Sequence, residues 1–228
     1  MKYQNDIDKM NTNRNLFLMS LPIFVELLLQ LLVGNVDQMM VSRVSQPSVA
    51  AIVNANQIMN LVIIVLSMAS TAVTVILSQY LGAQDEKNAS RTCMVSIVLI
   101  GSVSLAATIL VFAGHTPLYR AIHVPEEVFD EASLYLLIVG AFILVQGLYL
   151  TFSAMIRAFA MVKEVMIISV IMNAMNIVGN AILINGWFGM PQLGAVGAAI
   201  STDISKLVGL ALMIGMFFKS RRVKMGMS

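Results

Sequence analysis

Six apolar runs, each about as long as a membrane crossing, constrain this chain more than any other feature. They are Leu16–Met40, Ala51–Tyr80, Thr92–Ala113, Ala132–Ile156, Val165–Ile184 and Ala195–Phe218. A helix needs about 20 mostly apolar residues to cross the hydrocarbon core. Lipid offers a backbone no hydrogen-bond partner, so runs of this length dictate helices. Composition agrees: 58% of the 228 residues are hydrophobic and 11% charged, against about a quarter charged in ordinary soluble domains. The expected fold is all-α: a polytopic membrane protein whose six transmembrane helices form one lobe over residues 16–218. Residues 1–15 are expected to be a cytoplasmic tail, and 219–228 a basic cytoplasmic tail or the start of a linker. The first run is too long for a signal peptide and no small-residue cleavage site follows it.

Several functions are excluded at this level. A net charge of +2, scattered along the chain, gives nucleic acid nothing to hold. The single Cys93 excludes an internal disulfide and reads as a small apolar filler. No Gly-x-Ser-x-Gly or His-Glu-x-x-His motif occurs, so an enzyme is not expected, nor is a cofactor or a metal. His115 and His123 stand eight apart in the expected outer loop, and no acidic-histidine ligand spacing accompanies them; they read as solvated.

The distribution of Lys and Arg orients the spans. Eleven lie on one side: Lys2, Lys9, Arg14, Lys87, Arg91, Arg157, Lys163, Lys219, Arg221, Arg222 and Lys224. The other side holds Arg43 and Arg120, and Lys206 falls within a span. Both termini are therefore expected in the cytoplasm, and the chain in the cell membrane.

Polar residues at membrane depth are costly, about 2.5–3.5 kcal/mol for Asp on insertion scales, and point to function. Glu26 and Asp37 lie about three turns apart on one face of the first span, with Gln30 and Gly34 between them. Asn173, Asn176 and Asn180 share a face of the fifth span with Ser169, and Ser201, Thr202, Asp203, Ser205 and Lys206 fall in the sixth. Asp37 and Asn180 come to a similar depth in the outer half, Asn176 about one turn deeper, and Thr202 roughly 10 Å below its outer end at ~1.5 Å per residue. A carboxylate, two carboxamides and a hydroxyl at one level suit a hard monovalent cation or a proton. Asn173 and Ser205 serve equally well as hydrogen-bonding glue between helices. Asp203 and Lys206, at i,i+3, are placed to neutralise each other. Glu26, with Gln30, reads either as a second proton site or as cavity lining. Ser67, Ser70, Thr71, Thr74 and Ser78 in the second span line a wet cavity or simply pack.

These residues resemble a family. Pro22 with Gly34-Asn35-Val36-Asp37-Gln38-Met39-Met40-Val41 is similar to the first helix of multidrug and toxic compound extrusion (MATE) transporters. Ser78-Gln79-Tyr80-Leu81-Gly82-Ala83 resembles their second helix and loop, and Ile156-Arg157-Ala158 the end of their fourth. Asn173–Asn180 and Gly194–Thr202 resemble their fifth and sixth helices. The resemblance implies an N-terminal six-helix lobe and cation-coupled export of organic, often cationic, compounds, with H+ or Na+ as coupling ion. It implies a cation site at Asp37, Asn176, Asn180 and Thr202, a helix bend at Pro22, and a second six-helix lobe as partner. Asn180 stands where many members carry Asp, which leaves the coupling ion open. Two alternatives stay beside this reading: a lipid-linked oligosaccharide flippase of the same superfamily, and a non-transporting membrane assembly subunit.

Overall fold

The computed structural model describes residues 13–42, 46–121, 126–189 and 191–220. Among the described residues seven α-helices follow one another: α1 (Asn13–Ser42), α2 (Gln46–Gly82), α3 (Glu86–Ala121), α4 (Glu126–Ala141), α5 (Ile143–Ala158), α6 (Val162–Asn185) and α7 (Gly194–Lys219), with a short 3-10 turn at Trp187–Gly189 between the last two. α2, α3, α6 and α7 are each long and apolar enough to cross a membrane. α4 and α5 make one further span, bent by 44°. α1 carries a shorter apolar stretch, Ser20–Val36, close to the ~17-residue lower limit for a crossing.

The surface confirms the solvent. Leu61, Met68 and Leu110 are each exposed over more than two thirds of their area, among a long series of exposed Leu, Ile, Val and Phe side chains. In water a shell of this extent would drive aggregation; against acyl chains it is neutral. The interior is held by Leu66, Leu77, Ile100, Leu136, Met155, Ile156 and Met213, all fully buried.

Two layers of packing organise the lobe. α6 lies along α7 more extensively than any other pair, and α1 rests on α6; α2 packs against α3, α4 and α5. The α6–α7 corner depends on two glycines. Gly186 ends α6 in the left-handed region (φ 72°), which a residue with a Cβ adopts only under strain. Beyond it the Leu193 N–H donates to the Leu183 carbonyl at 3.0 Å. Gly197 then passes so close to the same carbonyl that a Cβ there would stand 2.6 Å from the oxygen.

The α2–α3 corner is capped by Asp85. Its Oδ1 accepts the backbone N–H of Asn88 at 3.0 Å, and its Oδ2 accepts the Asn88 side-chain amide at 2.6 Å. The backbone N–H, and then the side-chain amide, hold the Asp85 carboxyl below the usual carboxylate range. A lowered pKa makes the cap's contribution complete above the ordinary carboxylate range; it is lost as pH falls through the lowered value. The Asn88 amide is therefore expected to exchange faster in Asp85→Ala than in the native chain at neutral pH. The two are expected to converge in acid, as hydrogen exchange in detergent would show.

The structure departs from expectation in two places. The fourth span is not one continuous helix over Ala132–Ile156. It breaks at Phe142, whose backbone (φ −99°, ψ 10°) is not helical and whose N–H reaches only the Val139 carbonyl, three residues back, at 3.2 Å. The third helix runs on past Ala113, through Pro117, so His115 is helical rather than in a loop. Its Nδ1 lies 2.9 Å from the Phe112 carbonyl oxygen. His123 lies outside the described residues.

Candidate cation and substrate sites

The α6–α7 seam gathers three of the four residues expected at a cation site. Asn176 and Asn180 occupy adjacent turns of α6 on its buried face, and Thr202 faces them from α7. Asn176 Nδ2 donates to Thr202 Oγ1 at 3.0 Å, and Asn180 Nδ2 donates to Asn176 Oδ1 at 3.3 Å. Ser201 Oγ donates to the Asn176 carbonyl at 2.9 Å, and Ser205 Oγ to the Ser201 carbonyl at 2.8 Å. Asn176 is the centre of this network: its side chain bonds forward to α7 and back along α6, and its own carbonyl takes a third bond. The fourth expected residue, Asp37, lies on α1, which rests on α6. The side chains of Asp37 and Gln30 lie outside what the structure describes.

Neighbouring polar groups take separate places. Asn173 Nδ2 is buried and makes no hydrogen bond among the described residues. Ser169 is fully buried on the same face. The Asp203 carboxylate is 1% exposed, and neither oxygen meets a hydrogen-bond donor among the described residues.

Glu26 has a partner that spacing along the chain does not show. Arg157, in the last turn of α5, donates from Nη2 to both Glu26 oxygens at 2.8 Å. The two residues stand 131 positions apart. They both line a cavity of about 230 Å³ between α1, α2 and α5. Ser67, Ser70, Thr71 and Thr74 line it from α2, and Tyr149 and Ser153 from α5. Thr74 Oγ1 ties the two walls together with a bond to the Ala154 carbonyl at 3.2 Å. Of the two readings open for the hydroxyl-bearing face of the second span, four residues line a cavity; Ser78 is exposed and outside it. The rest of the α1 stripe is not uniformly enclosed, since Gly34 faces open space with nothing within 4 Å of a Cβ position. Pro22 is buried inside α1 and, having no N–H, leaves one turn of the helix without its bond.

An apolar shell around a seam of buried amides, hydroxyls and an ion pair is the build of a lobe of a multi-pass membrane transporter. The MatE family profile matches residues 22–182, most of the chain, and the chain belongs to that family. It is 38% identical over 213 residues to the Uncharacterized transporter YisQ of Bacillus subtilis, covering 93% of this chain and 47% of that protein. It is 28% identical over 211 residues to the Probable multidrug resistance protein NorM of Thermotoga maritima, covering 90% of this chain and 44% of that one. A crystal structure of MATE in the bent conformation matches with a TM-score of 0.80 at 22% identity, over 89% of this chain and 44% of the other. The outward-facing conformation of a multidrug resistance MATE family transporter of the MOP superfamily matches with a TM-score of 0.80 at 20% identity, over 92% and 49%. At such identities the two structures establish a shared fold. The chain spans about half the length of the relatives it matches.

Proposed function

We propose that this chain supplies the N-terminal lobe of a cation-coupled antiporter that exports organic compounds, many of them cationic. The observation that carries the reading is the Asn176–Asn180–Thr202 network, oxygen-bearing side chains of two helices hydrogen-bonded across their seam. Family membership, and a relative named for multidrug resistance, support export as the activity. The double length of the relatives supports a second six-helix lobe as partner, with the substrate path between the two.

In this reading H+ or Na+ is cargo. Asp37 takes it as the anionic ligand, and the carboxamide oxygens and the Thr202 hydroxyl complete the shell. Asn176 Oδ1 now accepts from Asn180 Nδ2 and Thr202 Oγ1 from Asn176 Nδ2, so turning these oxygens toward a cation rearranges both bonds as the ion enters and restores them as it leaves. That exchange changes how α6 and α7 meet, and α1, resting on α6, follows by bending at Pro22. Both termini face the cytoplasm, as the Lys and Arg distribution favours.

The test is Asp37→Asn in a full two-lobe protein expressed in a drug-sensitive host. Resistance is expected to fall to the level of the empty host, with loss of substrate-driven proton or sodium flux in proteoliposomes. Resistance and flux equal to the unmodified protein would end the proposal.

A further inference from the structure

The cavity between α1, α2 and α5 is separate from the α6–α7 network, and among the described residues its charge is set by two groups alone. Glu26 and Arg157 are the charged residues on its wall; the polar remainder are hydroxyls. The Glu26 side chain is 3% exposed and the Arg157 side chain 31%, so the cation is the more accessible member of the pair.

The pairing is also incomplete. One nitrogen, Nη2, serves both carboxylate oxygens, whereas a fork-to-fork pair would engage two. Arg157 Nε and the Ser70 hydroxyl oxygen are buried behind the same wall and make no hydrogen bond among the described residues. α1 and α5 share almost no backbone packing, so this ion pair, rather than the fold around it, holds the two charges together. The hydroxyls of the wall can donate to a ligand that carries acceptors, and a carboxylate already paired with a guanidinium offers little to a ligand that carries only positive charge.

We propose that Arg157 is a specificity-determining residue: by neutralising Glu26 it makes this cavity favour zwitterionic or uncharged polar groups over ligands whose only polar feature is a single positive charge. The inference rests on the efflux reading for its place in transport, and it names a substrate preference for the lobe's inner cavity.

Two small trimethylammonium probes separate the alternatives, because they differ by one carboxylate: choline, a monocation, and glycine betaine, a zwitterion. Acetate serves as the anionic probe. Equilibrium binding of each is measured on the full chain in lipid nanodiscs, with no ion gradient, so a result at Arg157 is read independently of any transport result at Asp37. The unmodified chain is expected to prefer betaine over choline. Arg157→Gln should tighten choline by about tenfold and reverse that order, the scale of one close charge at a partly screened site. Glu26→Gln should admit acetate about tenfold more tightly by the same reasoning. The neutral double variant should return choline and acetate to within about threefold of the unmodified chain, since each charge is then removed with its partner. The proposal is overturned if the two single variants move the probes in the same direction, or if neither changes their order. Where Arg157→Gln does not yield folded protein, Glu26→Gln decides alone: unchanged acetate binding there overturns the proposal, and a gain supports it.

Discussion

Gly197→Val is expected to be the most destabilising single substitution at the α6–α7 corner, lowering stability by about 3 kcal/mol, the upper end of the range for overpacked sites. A Cβ at position 197 would lie 2.6 Å from the Leu183 carbonyl oxygen and 2.8 Å from its carbon. Both are backbone atoms, and the oxygen already accepts the Leu193 N–H at 3.0 Å. No side-chain rotation can relieve the clash, so α7 must move away from α6 or the corner must give up that bond. Gly215 is the control: it is in the same helix with nothing within 4 Å of a Cβ. Gly215→Ala is expected to be neutral or to stabilise by up to about 1 kcal/mol through helix propensity. Unfolding in mixed micelles, followed by circular dichroism, measures both. A Gly197→Val protein with an unchanged midpoint would show that the two helices do not meet as described.

Asn176→Leu is expected to have the largest functional effect outside Asp37. The substitution keeps side-chain size and raises helix propensity while removing the bond to Thr202 and the acceptor for Asn180. Interhelical side-chain bonds in membranes are worth about 0.6 kcal/mol each on average, so the stability loss should stay near ~1 kcal/mol. Ion affinity should fall further, by about tenfold or more, because an oxygen donor and the alignment of two others vanish together. Calorimetric titration with Na+, and proton release on ligand binding, give the two readouts. A variant that folds normally and binds the coupling ion with unchanged affinity would remove Asn176 from the site. Ser201→Ala is the comparison: it removes only the bond to the Asn176 backbone carbonyl, and its effect on affinity should be several-fold smaller.

Much of the architecture was legible in the sequence because lipid leaves few solutions. A run of about 20 apolar residues in a medium without hydrogen-bond partners has to be a helix. All six spans were therefore countable from residue order. The α6–α7 network was legible for a related reason: Asn176 and Asn180 are one turn apart, and an antiparallel neighbour of known direction carries Thr202 to the same depth. Local chemistry reached no further where neighbours in space are distant in the chain. The break at Phe142 carries no proline to announce it, and the third helix continues through a proline that would ordinarily suggest an end. Glu26 shows the division most clearly. Its sequence demanded some compensation for a carboxylate in the membrane, but Arg157 stands 131 residues away on a helix that barely packs against α1. Periodicity determines which face a residue occupies; which charge meets it across a cavity is decided by how the helices assemble, because only that assembly sets the distance on which a Coulomb interaction depends.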